Sequence, residues 1–276
     1  MLRVAALVEN RPGLHHGLRC EHGFSLYIEK DGTRLLFDTG QSDAFLHNAG
    51  RMGIDLSKVE RVVLSHGHYD HTGGVRALLG VGTRPRLFTG AGFFDEKYAW
   101  NGSSYEFLGN DFDQAFLDAM RMSRSVVSED ILEIAPDIFL LSNFPRVHPT
   151  ELPNPRFRVR RNGRFEQDLF TDEILLAIRI GGGLAVFLGC SHPGMCNMID
   201  AAVARLNAPV SLLIGGTHLV DADGERMEHS LGYIRKLQGK AAIGLSHCTG
   251  EEVFERLDQG EGSFLRIVTG SSLFIE

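Results

Sequence analysis

Cysteine is scarce in this chain: four residues in 276, at Cys20, Cys190, Cys196 and Cys248, with no Cys-x-x-Cys pair among them. That excludes a disulfide framework and a closed four-thiolate zinc knot, and it points to a reducing cytoplasm. A basic surplus is also lacking. Lys and Arg total 28 against 35 Asp and Glu, a formal net charge of -7. Nucleic acids and anionic membranes favour a basic footprint, so neither is expected as a partner. No apolar run is long enough to cross a bilayer, and no repeat or low-complexity tract occurs. The opening residues Met1 to Val8 run directly into polar Glu9 and Asn10. They are too short for a leader and read as a first strand. What remains is an ordinary globular composition, 43% hydrophobic and 23% charged. The 32 glycines suit tight strand-to-helix turns. The length allows one large α/β domain or two small ones.

The densest chemistry lies in Ser65-His66-Gly67-His68-Tyr69-Asp70-His71, directly after the apolar run Val62-Val63-Leu64. In extended backbone, residues two apart point the same way, so His66 and His68 leave the strand on one face. Asp70 and His71 follow where the chain turns, and Thr72-Gly73-Gly74 allows a helix to start close by. Imidazole and carboxylate suit zinc, iron or manganese, and a His pair beside an Asp/His pair can serve two adjacent ions.

This His-x-His-x-Asp-His pattern after an apolar strand resembles the signature of the metallo-β-lactamase superfamily of metal-dependent hydrolases. The resemblance implies an α/β chain folded as an αββα four-layer sandwich. The order of elements agrees. A strand Phe24 to Ile28 and a strand Leu35 to Phe37 flank Asp31-Gly32, a hairpin signal. Asp38-Thr39-Gly40 follows, and in the family this element supports the metal site from below. Helices are expected around Phe45 to Ala49 and Val75 to Leu79, with a strand beginning at Leu87-Phe88.

Residues 91–170 read differently, with dense aromatics, weak periodicity and prolines at 145, 149, 153 and 155. Inside them, Asp111 to Met122 is expected to be helical, Ile138 to Leu141 a strand, and Arg156 to Glu166 a hairpin turning at Asn162-Gly163. The segment is taken as a lid or specificity insertion within a single domain spanning 1–276. Arg146, Arg158, Arg160 and Arg161 are candidates to hold a substrate phosphate or carboxylate, weighed against a solvated hairpin face.

The second half alternates strand, turn and helix three times, with the second of these helices expected around Ser230 to Leu237, and each turn delivers a histidine: His192, His218 and His247. Ligand sites in α/β sheets gather at strand ends. By the resemblance, His66, His68 and His192 hold one ion while Asp70, His71 and His247 hold the other, with His218 either a further ligand or a substrate-binding residue. The resemblance implies two divalent ions, zinc first, with iron or manganese as alternatives. Many family members carry Gly-Asp where this chain has Gly189-Cys190, so the usual bridging aspartate is absent. Cys190 as a thiolate, His192, or solvent alone is left to take its place.

The motifs Glu21-His22-Gly23, Ser65 to Gly74, Gly189 to Gly194, Gly215 to His218 and His247 to Gly250 together resemble one branch of the superfamily. That branch is known for synthases joining a dihydropterin to a ribofuranosylaminobenzene phosphate, but many members sit in organisms that make no methanopterin, so the resemblance does not fix the substrate. The expected activity is hydrolysis of an ester or phosphoester in a small molecule, with Asp70 orienting the water and His218 at the leaving group. The alternatives are a transferase of the synthase kind, on a phosphorylated or pterin-like substrate, and a non-catalytic metal sensor. A homo-oligomer is left open.

Overall fold

The computed structural model describes residues 1–259 and 263–275. The chain divides into two compact units, Met1–Val127 with Asn154–Asp172 and Val268–Glu276, and Ser128–Pro153 with Glu173–Ile267.

The first unit is built on a seven-stranded mixed sheet. Its strands run in the order Ser272–Ile275, Leu2–Val8, Ser25–Lys30, Thr33–Phe37, Arg61–Val63, Arg86–Gly90 and Arg124–Val127. The expected Asp31-Gly32 hairpin is present, with Asp31 and Gly32 both at positive φ as its tight turn requires. Thr33–Phe37, Arg61–Val63 and Arg86–Gly90 pair in parallel, so the turns after the first two, at Asp38 and Ser65, lie side by side. Leu7, Leu36, Val62 and Leu87 from this sheet, with Leu64 just past the end of its strand, pack with Phe45, Val75 and Leu78 from the helices Ala44–Arg51 and Val75–Gly80. Asp70 and His71 sit on a short helix of their own, Tyr69–Thr72, rather than in a loop.

A second, four-stranded sheet of this unit has the order Arg164–Gln167, Phe157–Arg161, Glu96–Trp100, Tyr105–Phe107. The Asn162-Gly163 hairpin is therefore real, but its neighbour Glu96–Trp100 comes from a stretch with no strand-like periodicity. The helix expected over Asp111 to Met122 is trimmed to Gln114–Ala119, because the Asp113 carboxylate accepts from the Phe116 N–H and sets its start.

The second unit holds another seven-stranded sheet, ordered Leu265–Arg266, Ala242–Leu245, Val210–Gly215, Gly183–Leu188, Leu175–Ile180, Ile138–Leu141, Ile131–Ala135. Gly183–Leu188, Val210–Gly215 and Ala242–Leu245 are parallel, so their C-terminal ends lie along one edge. Gly183–Leu188 is buried at every position, the pattern of a strand covered on both faces. Its Leu184, Val186 and Leu188 join Leu213, Leu245, Met198, Leu231, Ile234 and Val253 in one core. The helix expected near Ser230 begins six residues earlier, at Gly224, where Asp223 caps it by accepting from Arg226 N. No helix among the described residues is long and apolar enough to cross a membrane.

Candidate metal centre

Within the first unit the expected donors crowd together. The rings of His66 and His68 lie 4.6 Å apart, those of His66 and His71 4.3 Å. His66 Nε2 is 3.1 Å from His68 Nδ1, and His71 Nε2 is 3.7 Å from Asp70 Oδ2. All four side chains are buried. A tetrahedral ion about 2.0–2.1 Å from two nitrogens holds them roughly 3.3 Å apart, so the His66–His68 spacing suits a shared ion.

The tautomers follow from Asp38. Its carboxylate accepts from Ser65 N at 2.6 Å, from Ser65 Oγ at 2.8 Å and from His71 Nδ1 at 2.7 Å. A carboxylate can only accept, so His71 carries its proton on Nδ1 and presents the lone pair of Nε2. Ser65 Oγ has given its one hydrogen to Asp38, so it accepts from His66 Nδ1 at 2.9 Å, and His66 too presents Nε2. One buried aspartate thus orients two imidazoles, as carboxylates do behind metal-bound histidines. Burial, then the neighbouring His71 and His68, push His66 well below the ordinary histidine range. The ring is therefore neutral, the form a metal requires. Donor type, spacing and tautomer all fit a divalent ion.

The motif residues between the donors have reasons of their own. A side chain at Gly67 would place its Cβ 2.4 Å from the Phe93 carbonyl oxygen, so the middle of His-Gly-His admits only glycine. At Gly23, Cβ would meet the Asp70 carbonyl 2.7 Å away, where Phe24 N donates to that oxygen. The adjacent His22 Nε2 lies 3.3 Å from Asp70 Oδ2, and Glu21 accepts from Gln41 N and Ser42 N. His22 was not among the expected site residues. Its signal was its place beside Glu21 and Gly23 in a shared motif.

Lys97, Asp168 and Asp172 were also not foreseen. Lys97 Nζ donates at 2.9 Å to each carboxylate, and Asp172 Oδ2 accepts from Gly67 N at 2.8 Å. Burial alone would lower the lysine's pKa, but the two carboxylates outweigh it and hold the ammonium charged, above its ordinary range. Arg160 and Arg161 face Glu96, Asp95 and Glu166 on the exposed hairpin, the solvated-face arrangement.

In the second unit, donor atoms of Cys190, His192 and His218 lie within 4.8 Å of one another, as do those of Cys190, His247 and Cys248. The buried Glu173 accepts from Ser191 N at 2.7 Å and His192 N at 3.3 Å, fixing the His192 turn. Cys248 Sγ accepts from His218 N at 3.2 Å. Ser191, His218 and His247 are all non-glycine residues at positive φ (61°, 47° and 54°), as is Asp38 (61°) in the first unit. Such backbone is sparsely populated and persists where surrounding contacts over-determine it, which is common at functional sites.

A metallo-β-lactamase superfamily model matches residues 18–83, the stretch holding Asp38 and the histidine cluster. A solved metal-dependent hydrolase of the β-lactamase superfamily is 31% identical, covering 100% of this chain and 99% of that one at a TM-score of 0.85. The chain belongs to the metallo-β-lactamase superfamily, and its α/β fold is of that type. Among curated proteins, the 7,8-dihydropterin-6-methyl-4-(β-D-ribofuranosyl)-aminobenzene-5′-phosphate synthase of Methanocaldococcus jannaschii is 29% identical, covering 94% of this chain and 95% of its own. Zinc-bound PqqB from Methylobacterium extorquens shares the fold at a TM-score of 0.59 and 15% identity.

The Asp38 arrangement carries a direct test. In Asp38→Asn one carboxylate oxygen becomes an amide nitrogen that cannot accept, while asparagine tolerates the left-handed backbone. Zinc affinity, measured by competition with a chromophoric chelator, is expected to fall about 10- to 100-fold. Affinity within twofold of the parent would show that Asp38 does not orient ligands.

Proposed function

We propose that this protein is a metal-dependent hydrolase of small-molecule esters or phosphoesters. His66, His68, Asp70, His71, His192 and His247 would hold two divalent ions, zinc first and iron or manganese as alternatives. The observation that carries this reading is the buried His66 and His71 pair that Asp38 orients, directly at His71 and through Ser65 at His66. When bound, the ions supply Lewis-acid activation of water and of the substrate's carbonyl or phosphoryl oxygen. Asp70, whose Oδ2 lies 3.3 Å from His22 Nε2 and 3.7 Å from His71 Nε2, orients the attacking water. His218, beside His192 at a ring separation of 4.3 Å, donates a proton to the leaving oxygen. Within 91–170, the four-stranded sheet and Phe170 act as the specificity lid of a single domain, with Phe157 and Phe170 flanking His68 at 5.7 and 5.6 Å, whereas Arg124–Val127, Ile131–Ala135 and Ile138–Leu141 belong to the two seven-stranded sheets. Four free thiols, three of them buried, suit a reducing compartment.

A second reading rests on the 29% identity to a synthase over 94% of the chain. In it the same residues serve transfer between a pterin and a ribosylated aminobenzene phosphate. Metal-stripped protein is expected to lose all turnover and regain it with zinc, iron or manganese. A screen of phosphodiesters, thioesters, lactones and pterins separates the two readings. Turnover of bis(p-nitrophenyl) phosphate without any pterin supports hydrolysis, and turnover confined to pterin substrates supports the synthase. Full turnover in metal-free protein would sink both.

A further inference from the structure

A second group of metal-ligand side chains lies wholly within the second unit, apart from every residue assigned above. Donor atoms of His148, Cys196 and His229 all fall within 4.8 Å of one another. His148 comes from the proline-rich loop, Cys196 from the first turn of the helix Met195–Leu206, and His229 from the helix Gly224–Gln238. Three separate segments therefore aim at one point.

Their orientation is set from behind. His148 Nε2 contacts Asp200 Oδ2 at 2.8 Å, and Tyr233 donates its hydroxyl to Asp200 Oδ1 at 2.6 Å. Because Asp200 can only accept, the proton of neutral His148 sits on Nε2. Its Nδ1 lone pair is then directed at His229 Nε2, 3.0 Å away. That spacing is close to the roughly 3.3 Å that two nitrogens on a tetrahedral ion adopt. A carboxylate behind a ligating imidazole is the usual outer support of a bound metal.

The geometry points to a separate transition-metal site formed by His148 Nδ1, His229 Nε2 and Cys196 Sγ. Burial, then the Glu151 carboxylate, pushes the free Cys196 thiol up, so an ion binds here by displacing its proton; the resulting thiolate with two imidazoles is a borderline-soft set, which selects zinc-class ions over calcium or magnesium. Three protein donors would leave a fourth position to water.

The ion's effect follows from the same loop. Glu151 accepts from Cys196 N and Asn197 N, both at 2.8 Å. Asn197 Oδ1 accepts from Val147 N and His148 N, while its Nδ2 donates to the Pro193 carbonyl. A cation here staples the loop to both helices and steadies the Ser191 to Gly194 turn that presents His192.

The test uses full-length protein stripped of metal and titrated with Co(II) or Zn(II). With Co(II), a thiolate-to-metal charge-transfer band is expected that Cys196→Ser and His229→Ala abolish and Cys190→Ser retains. With Zn(II), His148→Ala and His229→Ala are each expected to bind one ion per chain fewer than the parent. Both histidines are only partly buried, so their truncation leaves the fold intact, which circular dichroism checks. The comparison is a difference, so it stands whatever ions the Asp38-supported cluster takes. Parental zinc content in both histidine variants would overturn the site and leave only a hydrogen-bonded histidine pair. A band that survives Cys196→Ser and vanishes in Cys190→Ser would overturn it too.

Discussion

Lys97→Met is expected to destabilise the protein by about 3–5 kcal/mol, the usual cost of removing one partner from a buried ion pair. Lys97, Asp168 and Asp172 are each at most 4% exposed at the side chain, so no water replaces the lost ammonium. Burial, with Asp168 nearby, already pushes Asp172 up against the pull of Lys97. Without the lysine, both carboxylates must either sit buried and unpaired or take up protons. Asp168 Oδ1 also accepts from Phe170 N, and Asp172 from Gly67 N, so both backbone positions loosen with them. The triple variant Lys97→Met, Asp168→Asn, Asp172→Asn removes every charge while keeping an amide oxygen for each N–H. It is expected to recover a large part of the loss. Urea unfolding of the parent and both variants checks this. A loss below about 1 kcal/mol for Lys97→Met would mean that the triad is solvated.

Asp70→Ala is expected to lower turnover by about 10²- to 10⁴-fold, the range for a group that orients or moves a proton in the transition state. The main-chain oxygen of this residue, which accepts from Phe24 N, is unaffected by truncation. Its side chain faces His22 and His71. Steady-state kinetics on whichever substrate the screen returns, with metal content measured alongside, checks the prediction. Unchanged turnover would remove Asp70 from the chemistry, and a chain that binds metal with no turnover at all would revive the sensor reading.

The second half of the fold was legible because each of its three parallel strands is a short apolar run followed by a turn that opens on a small residue, Gly189, Gly216 or Ser246, and carries a histidine. Those signals are local. The four-stranded sheet was not, and Glu96–Trp100 shows why. Its buried positions are Lys97 and Ala99, so a charged residue stands where a strand pattern calls for an apolar one. That burial is possible only because Asp168 and Asp172, 71 and 75 residues away, neutralise the lysine. Its pairing partner Phe157–Arg161 is equally remote. The early start of the helix Gly224–Gln238 was hidden for a different reason. Asp223-Gly224 reads as a turn, and only the Asp223 cap shows that the helix begins there.

By itself the sequence determined the candidate donors of the histidine cluster and the strand-end turns. The His66 to His71 spacing, the Asp38-Thr39-Gly40 element and three histidines at strand ends are features of near neighbours, and backbone periodicity decides where near neighbours point. Only the tertiary structure decided how those side chains are held. Asp38 reaches Ser65 and His71 across 27 and 33 residues to set two tautomers. Lys97 braces Gly67 through Asp172, and His148 meets His229 across 81 residues. A hydrogen bond between distant residues leaves no mark on local pattern, because its geometry exists only once the sheets have brought the partners together.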